Sequence, residues 1–138
     1  MKKLIYIAGK LTDYPEKYIT NMREMVMFAR AIEIRYGVYT HIPCLDILKG
    51  LVCGDLGLHD YMGTNVEIML RCDAVFLCPG WSTSKGTKME IELAEANGIP
   101  VCNTENEMWD FCAQGHLSEC QKMQAEVKAK IERMRNAD

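Results

Sequence analysis

The chain contains no CxxC pair, no basic stripe, no internal repeat or low-complexity tract, and no apolar run long enough to span a membrane. Each absence removes a class of function. Without a membrane-length apolar segment, a membrane partner is not expected. With 16 Lys+Arg scattered among 19 Asp+Glu, the charge does not track a phosphate backbone, so a nucleic-acid polymer is not expected either. A small nucleotide stays open, because a helix N-terminus binds phosphate without a large positive charge. Seven cysteines are present, but the number is odd and their spacings match no zinc template. They read as reduced thiols used as small core residues in a cytoplasmic protein. His41, His59 and His116 share no spacing that suggests a metal site, and each reads as structural or exposed. No metal or cofactor is expected.

At 138 residues, one domain is expected, with a core over residues 3–102 and a helical extension over 105–138. The opening MKKLIYIAGK has an apolar run that stops at Gly9, shorter than a secretory leader's, so it reads as a first strand. Strand and helix then alternate. Strands are predicted over Lys3–Ala8, Val38–Ile42, Ala74–Cys78 and Ile99–Cys102. Helices are predicted over Glu16–Arg35, Asp60–Arg71 and Gly86–Asn97, where apolar residues recur near a 3.6-residue period. Asp46–Gly57 predicts a short helix and a mobile loop. A helical turn over Glu105–Phe111 and a long, charge-rich helix over Leu117–Arg135 follow. Its stripe of Met123, Val127, Ile131 and Met134 can pack on the domain or on another subunit. This alternation predicts an α/β, Rossmann-like fold: a parallel sheet with helices on both faces, plus the long C-terminal helix. Ligands on such sheets bind outside the carboxyl ends of the strands. Three loops should meet there: Gly9–Tyr14, Pro43–Asp46 and Cys78–Gly86.

The third of these loops carries the strongest signal. Leu77–Glu90, LCPGWSTSKGTKME, joins a buried strand to a helix through a Gly/Ser-rich turn. The first turn of that helix leaves backbone N–H groups unpaired and presents the positive end of its dipole, which suits an anion. Ser82, Thr83 and Ser84 are candidate caps, and Gly86 lets a ligand approach the backbone. At about 100° per residue, Glu92 and Glu95 turn to solvent, while Glu90 turns inward with Gly86, Leu93, Ala94 and Asn97. An inward carboxylate near a helix start is either a structural partner for backbone N–H groups or a functional acid. The same geometry turns Asn65 inward with Tyr61, Met62, Ile68 and Met69, to satisfy a loop or to orient a ligand. Asp73 reads as a loop or capping residue at the far end of the sheet. Tyr6 is either core or pocket lining. Trp81 either stacks on a base or covers its loop.

Tyr6-Ile7-Ala8-Gly9, Cys72–Leu77, Gly80-Trp81 with Ser84-Lys85-Gly86 and Glu90, and Gly98-Ile99-Pro100-Val101, in this order, resemble the nucleoside 2-deoxyribosyltransferase superfamily. The closest likeness is to its short branch with a Pro-Gly-Trp loop, here Pro79-Gly80-Trp81. The resemblance implies a Rossmann-like fold, a homo-oligomer, and a glutamate nucleophile at Glu90 that forms a glycosyl-enzyme intermediate, as in retaining glycosidases. Water then completes hydrolysis of a nucleoside, or a second base completes transfer. Family members that hydrolyse nucleoside 5′-monophosphates carry a serine and a glycine where Ser84 and Gly86 stand. This implies an N-glycosidase acting on a phosphorylated nucleoside, with deoxyribosyl transfer or nucleotide binding without turnover as the alternatives. Gly9 and Lys10 fall in the first loop, where Lys10 could meet a phosphate, and Tyr6 and Trp81 would line the pocket. Where the family carries an aspartate this chain has Asn65, which can hold a hydroxyl or a base but cannot exchange a proton.

Overall fold

The structure, a computed structural model, describes residues 2–11 and 15–137. Thr12, Asp13 and Tyr14 of the first expected loop lie outside the described residues. Four short apolar strands form one parallel sheet: β1 (Leu4–Ala8), β2 (Tyr39–His41), β3 (Ala74–Leu77) and β4 (Val101–Cys102). Their spatial order is β2-β1-β3-β4. Successive strands are joined by α1 (Pro15–Tyr36), then α2 (Ile47–Cys53) with α3 (Leu58–Met69), then α4 (Lys85–Ala96). Single 3-10 turns cover Pro43–Asp46 and Trp81–Thr83. This is the expected α/β Rossmann-like architecture. Because β1 leads outward to β2 and the chain then returns to β3 on its other side, the connections diverge beside β1. In open α/β sheets that divergence opens a crevice at the strand C-termini.

The centre of the sheet is buried on both faces, which is why β1 and β3 read as continuous apolar runs rather than alternating ones, whereas the edge strand β2 is half-exposed. Tyr6, Ala8, Val75 and Leu77 point to one side, with Met69 of α3 and Ala94 of α4. Ile5, Ile7, Ala74 and Phe76 are buried on the other. There Tyr36 of α1 meets Phe76 edge-on, with ring centroids 6.2 Å apart and planes at 86°. Burying each of these larger side chains stabilises the sheet by roughly 1.5–3 kcal/mol before chain entropy is set against it. At the opposite end from the crevice, the Leu4 N–H donates to Asp73 Oδ2 at 2.8 Å, and the Asp73 N–H donates back to the Leu4 carbonyl at 2.8 Å. Asp73 thus ties the starts of β1 and β3 together.

Some expected boundaries move. β2 and β4 are shorter than predicted, since only the central residues of the first run and the last two of the second find a partner strand. The turn expected over Glu105–Phe111 and the helix expected over Leu117–Arg135 are one continuous helix, α5 (Glu105–Arg135). Gly115 does not break it; a helical glycine costs only about 1 kcal/mol. Thr104 caps α5, its hydroxyl oxygen accepting from the Glu107 N–H at 3.2 Å. Glu105 and Glu107 in the first turn and Arg133 and Arg135 in the last complement the helix dipole. Contacts divide the chain into two compact units, Met1–Asn103 and Thr104–Asp138. No helix among the described residues is long and apolar enough to cross a membrane.

Candidate active site

Ser84 begins the site because it is the N-cap of α4. Its backbone is extended (φ −101°, ψ 117°), and its Oγ accepts from the Thr87 N–H at 3.2 Å and from the Thr87 hydroxyl at 3.0 Å. With both of these bonds accepted, the Ser84 hydroxyl keeps its own proton to donate elsewhere. Thr87 is buried, so the cap is held from beneath. The turn preceding it is made by Gly80 at φ 88°, a left-handed conformation that favours glycine. The unpaired N–H groups of the first turn of α4 then border a cleft of about 640 Å³. Gly86 is helical, and a Cβ there would meet nothing nearer than Ser84 Oγ at 3.9 Å. The fold therefore does not need a glycine at this position. What the glycine leaves open is the approach to the backbone from the cleft.

Glu90 stands one turn further along and faces the same cleft. Its Oε2 is buried and has no hydrogen-bond partner. The Tyr6 hydroxyl is within hydrogen-bonding reach of the carboxyl. Burial raises the Glu90 pKa from its ordinary 4.5 to about 7, and the Tyr6 bond opposes that rise. Burial, with the Glu90 charge as the next cause, holds the Tyr6 phenol far above its ordinary range, so it stays a donor. Tyr6 is both core and lining: nearly all of it is buried, yet it borders the cleft.

The inward arc of α4 is rotated slightly from the one predicted. Thr87 and Ala94 are buried, whereas Leu93 and Asn97 are exposed. The Asn97 amide folds back to donate to the Leu93 carbonyl at 2.7 Å. Glu92 and Glu95 are exposed, as the helical geometry requires.

Across the cleft, α3 supplies Asn65, whose Oδ1 lies 3.4 Å from His41 Nε2. The His41 ring also stacks on Tyr6, with centroids 5.6 Å apart and planes at 29°. Helical spacing alone could not find His41. The strand register does, because Tyr6 and His41 are direct neighbours in β1 and β2 and therefore share a face. Tyr18, Asp46 and Tyr61 also line the cleft and were not singled out by the sequence. Tyr61 fits because a Cβ at Gly50 would overlap its hydroxyl. Gly9 lines the cleft and also has a packing reason: a Cβ there would come within 2.8 Å of the Cys78 Cβ.

Of the predicted site residues, Tyr6, Gly9, Asn65, Ser84, Gly86 and Glu90 meet in this one cleft, while Lys10 and Trp81 are not among the residues that line it. Trp81 covers its own loop: its indole packs against the core and its Nε1–H donates to Asn103 Oδ1 at 2.9 Å. The nearby thiols offer no competing nucleophile. Burial raises both Cys44 and Cys78 to about 11, so neither is a thiolate at neutral pH.

A buried acid whose pKa is raised to about 7, a serine-capped helix start and aromatic lining residues meet in one cleft at the strand tips of a Rossmann-like sheet, where open α/β folds ordinarily place a ligand. Residues 3–103 match the family described as Domain of unknown function (DUF4406), and the chain belongs to that family. None of the curated proteins matches it significantly.

Proposed function

We propose that this protein is an N-glycosidase of the nucleoside 2-deoxyribosyltransferase kind, cleaving the base–sugar bond of a nucleoside 5′-monophosphate. One observation carries the reading: Glu90, which keeps one buried carboxylate oxygen without a partner, lines a cleft of about 640 Å³ that the N-terminus of its own helix also borders. Tyr6 supplies one hydrogen bond to this carboxyl, and a buried acid that served only the fold would have its second oxygen satisfied as well. In this reading the phosphate sits on the Ser84–Gly86 backbone and takes the free Ser84 proton. Ionised Glu90 attacks C1′, the C1′–N bond breaks, and the base leaves with the bonding pair and collects a proton from solvent. Water then attacks the glycosyl ester, restoring the carboxylate and releasing the sugar phosphate. Tyr6 donates to the carboxyl and fixes which oxygen attacks, while Asn65 positions the sugar or base. The buried free thiols Cys44, Cys72, Cys78 and Cys102 suit a reducing cytoplasm, and the family likeness suggests a homo-oligomer.

A second reading keeps the pocket without turnover, and Asn65 favours it, because an amide cannot pass a proton to a departing base. Incubation with each nucleoside 5′-monophosphate, followed by chromatography, separates the two. Free base that disappears in Glu90→Ala supports the enzyme. No release by the parent, with release gained in Asn65→Asp, supports the binding protein.

A further inference from the structure

Two carboxylates line the cleft, and the reaction uses only one of them. The other, Asp46, lies beyond the C-terminal end of β2, at the position that caps α2. Aspartate at a helix N-cap ordinarily accepts from the backbone of the first turn. This one does not: its backbone is helical (φ −66°, ψ −13°) and its side chain makes no capping bond. No hydrogen bond or ion pair satisfies its carboxylate among the described residues. Among the described residues Asp46 thus has no structural partner, while the residue borders the cleft. Asp46 follows β2, at the edge of the sheet, whereas Ser84 and Glu90 follow β3, two strands away, and all three line the one cleft.

The direction of a bound nucleotide follows from the fixed points. The phosphate belongs at Ser84–Gly86 and the anomeric carbon at Glu90. A base extends from the anomeric carbon away from the phosphate, toward the part of the lining that comes from outside α4, which includes Tyr18, Tyr61, Pro43 and Ile47. Flat and largely apolar walls suit its faces. Among the described lining residues outside α4, Asp46 alone carries a carboxylate, and a carboxylate can only accept.

We infer that Asp46 reads the edge of the base, and that the cleft selects bases that carry an exocyclic amino group over those that present a carbonyl there. The amino N–H donates to the Asp46 carboxylate, as amino groups of bases do to acidic side chains elsewhere. A carbonyl in the same place meets the carboxylate oxygen to oxygen and is repelled. The inference rests on the nucleotide reading above but not on turnover.

The test is equilibrium binding by calorimetry in the intact chain carrying Glu90→Gln, which cannot complete the reaction. The probes are two matched pairs: adenosine against inosine 5′-monophosphate, and cytidine against uridine 5′-monophosphate. A charged hydrogen bond predicts that the amino-bearing member of each pair binds roughly tenfold or more tightly. Adding Asp46→Asn, whose amide can also donate, should shrink that preference to a few-fold or reverse it, and Asp46→Ala should abolish it. Thermal melting of each variant establishes that it is folded. Equal affinity within both pairs, or a preference that survives Asp46→Ala, overturns the role of Asp46 and leaves the nucleotide reading standing. Failure of all four probes to bind overturns the nucleotide reading and this inference with it. Selective binding without base release by the parent protein overturns turnover alone and supports Asp46.

Discussion

Replacing Glu90 by glutamine keeps the shape of the side chain and removes its ability to ionise, which makes the cost of burying this charge measurable. Burial raises the native pKa from 4.5 to about 7. Native Glu90 therefore holds its proton more tightly than unfolded Glu90. The stabilising contribution of the protonated carboxyl is present in full below about pH 4.5. It is lost as pH rises through about 7. At 1.36 kcal/mol for each pKa unit, the whole change is about 3 kcal/mol. The variant has no such dependence. Any constant cost of a mispaired amide appears at every pH and cancels when the difference between the two proteins is followed across pH. Urea unfolding of both proteins from pH 4.5 to 8.5 should show Glu90→Gln gaining about 3 kcal/mol on the parent over that range. In thermal melts this corresponds to roughly 10 °C. A stability difference that stays flat with pH, or one that moves against the variant as pH rises, refutes the claim that burial of the carboxyl outweighs its bond from Tyr6.

Three other outcomes follow from the same geometry. If ionised Glu90 is the nucleophile, the rate of base release should rise with pH and level off above about 7, since the group must lose its proton to attack; a flat profile between pH 5.5 and 8.5 contradicts that role. Gly86→Ala meets no obstacle in the fold, so it should melt no lower than the parent and gain up to about 1 kcal/mol. The same substitution should weaken nucleoside monophosphate binding, because the new methyl stands where a phosphate would approach. Gly9→Ala places its Cβ 2.8 Å from that of Cys78 and should cost about 1–3 kcal/mol in urea unfolding as an overpacked contact.

Much of this arrangement could be read before any coordinates, and the reasons are local. The inward turn of Glu90 follows from helical periodicity, and the Ser84 cap follows from the chemistry of a hydroxyl just ahead of a helix. The buried sheet follows from runs such as Ala74–Leu77, where every residue is apolar. The places that reading missed depend on pairing between distant segments. His41 meets Tyr6 only because β1 and β2 align in one register. Asp46 lies in the Pro43–Asp46 loop that was expected at the strand tips, but which of that loop's side chains border the cleft depends on a 3-10 turn that no periodicity encodes. Leu93 and Asn97 were turned inward because a helical arc drawn from sequence has no neighbour to fix its centre. In the structure the buried edge of α4 is set by Thr87 and Ala94. The misplacement of Trp81 has a similar origin: a tryptophan in a Gly-rich loop offers a stacking surface, but its N–H found Asn103, 22 residues away. At Gly115 the local signal for a break was real but too weak to stop a 31-residue helix.

Mass spectrometry of protein denatured during turnover tests the central claim most directly. With a cleaved nucleoside monophosphate present, the peptide that contains Glu90 should gain the mass of one sugar phosphate, and Glu90→Gln should gain nothing. Base released at an undiminished rate by Glu90→Gln, or an adduct found on another residue, would contradict it.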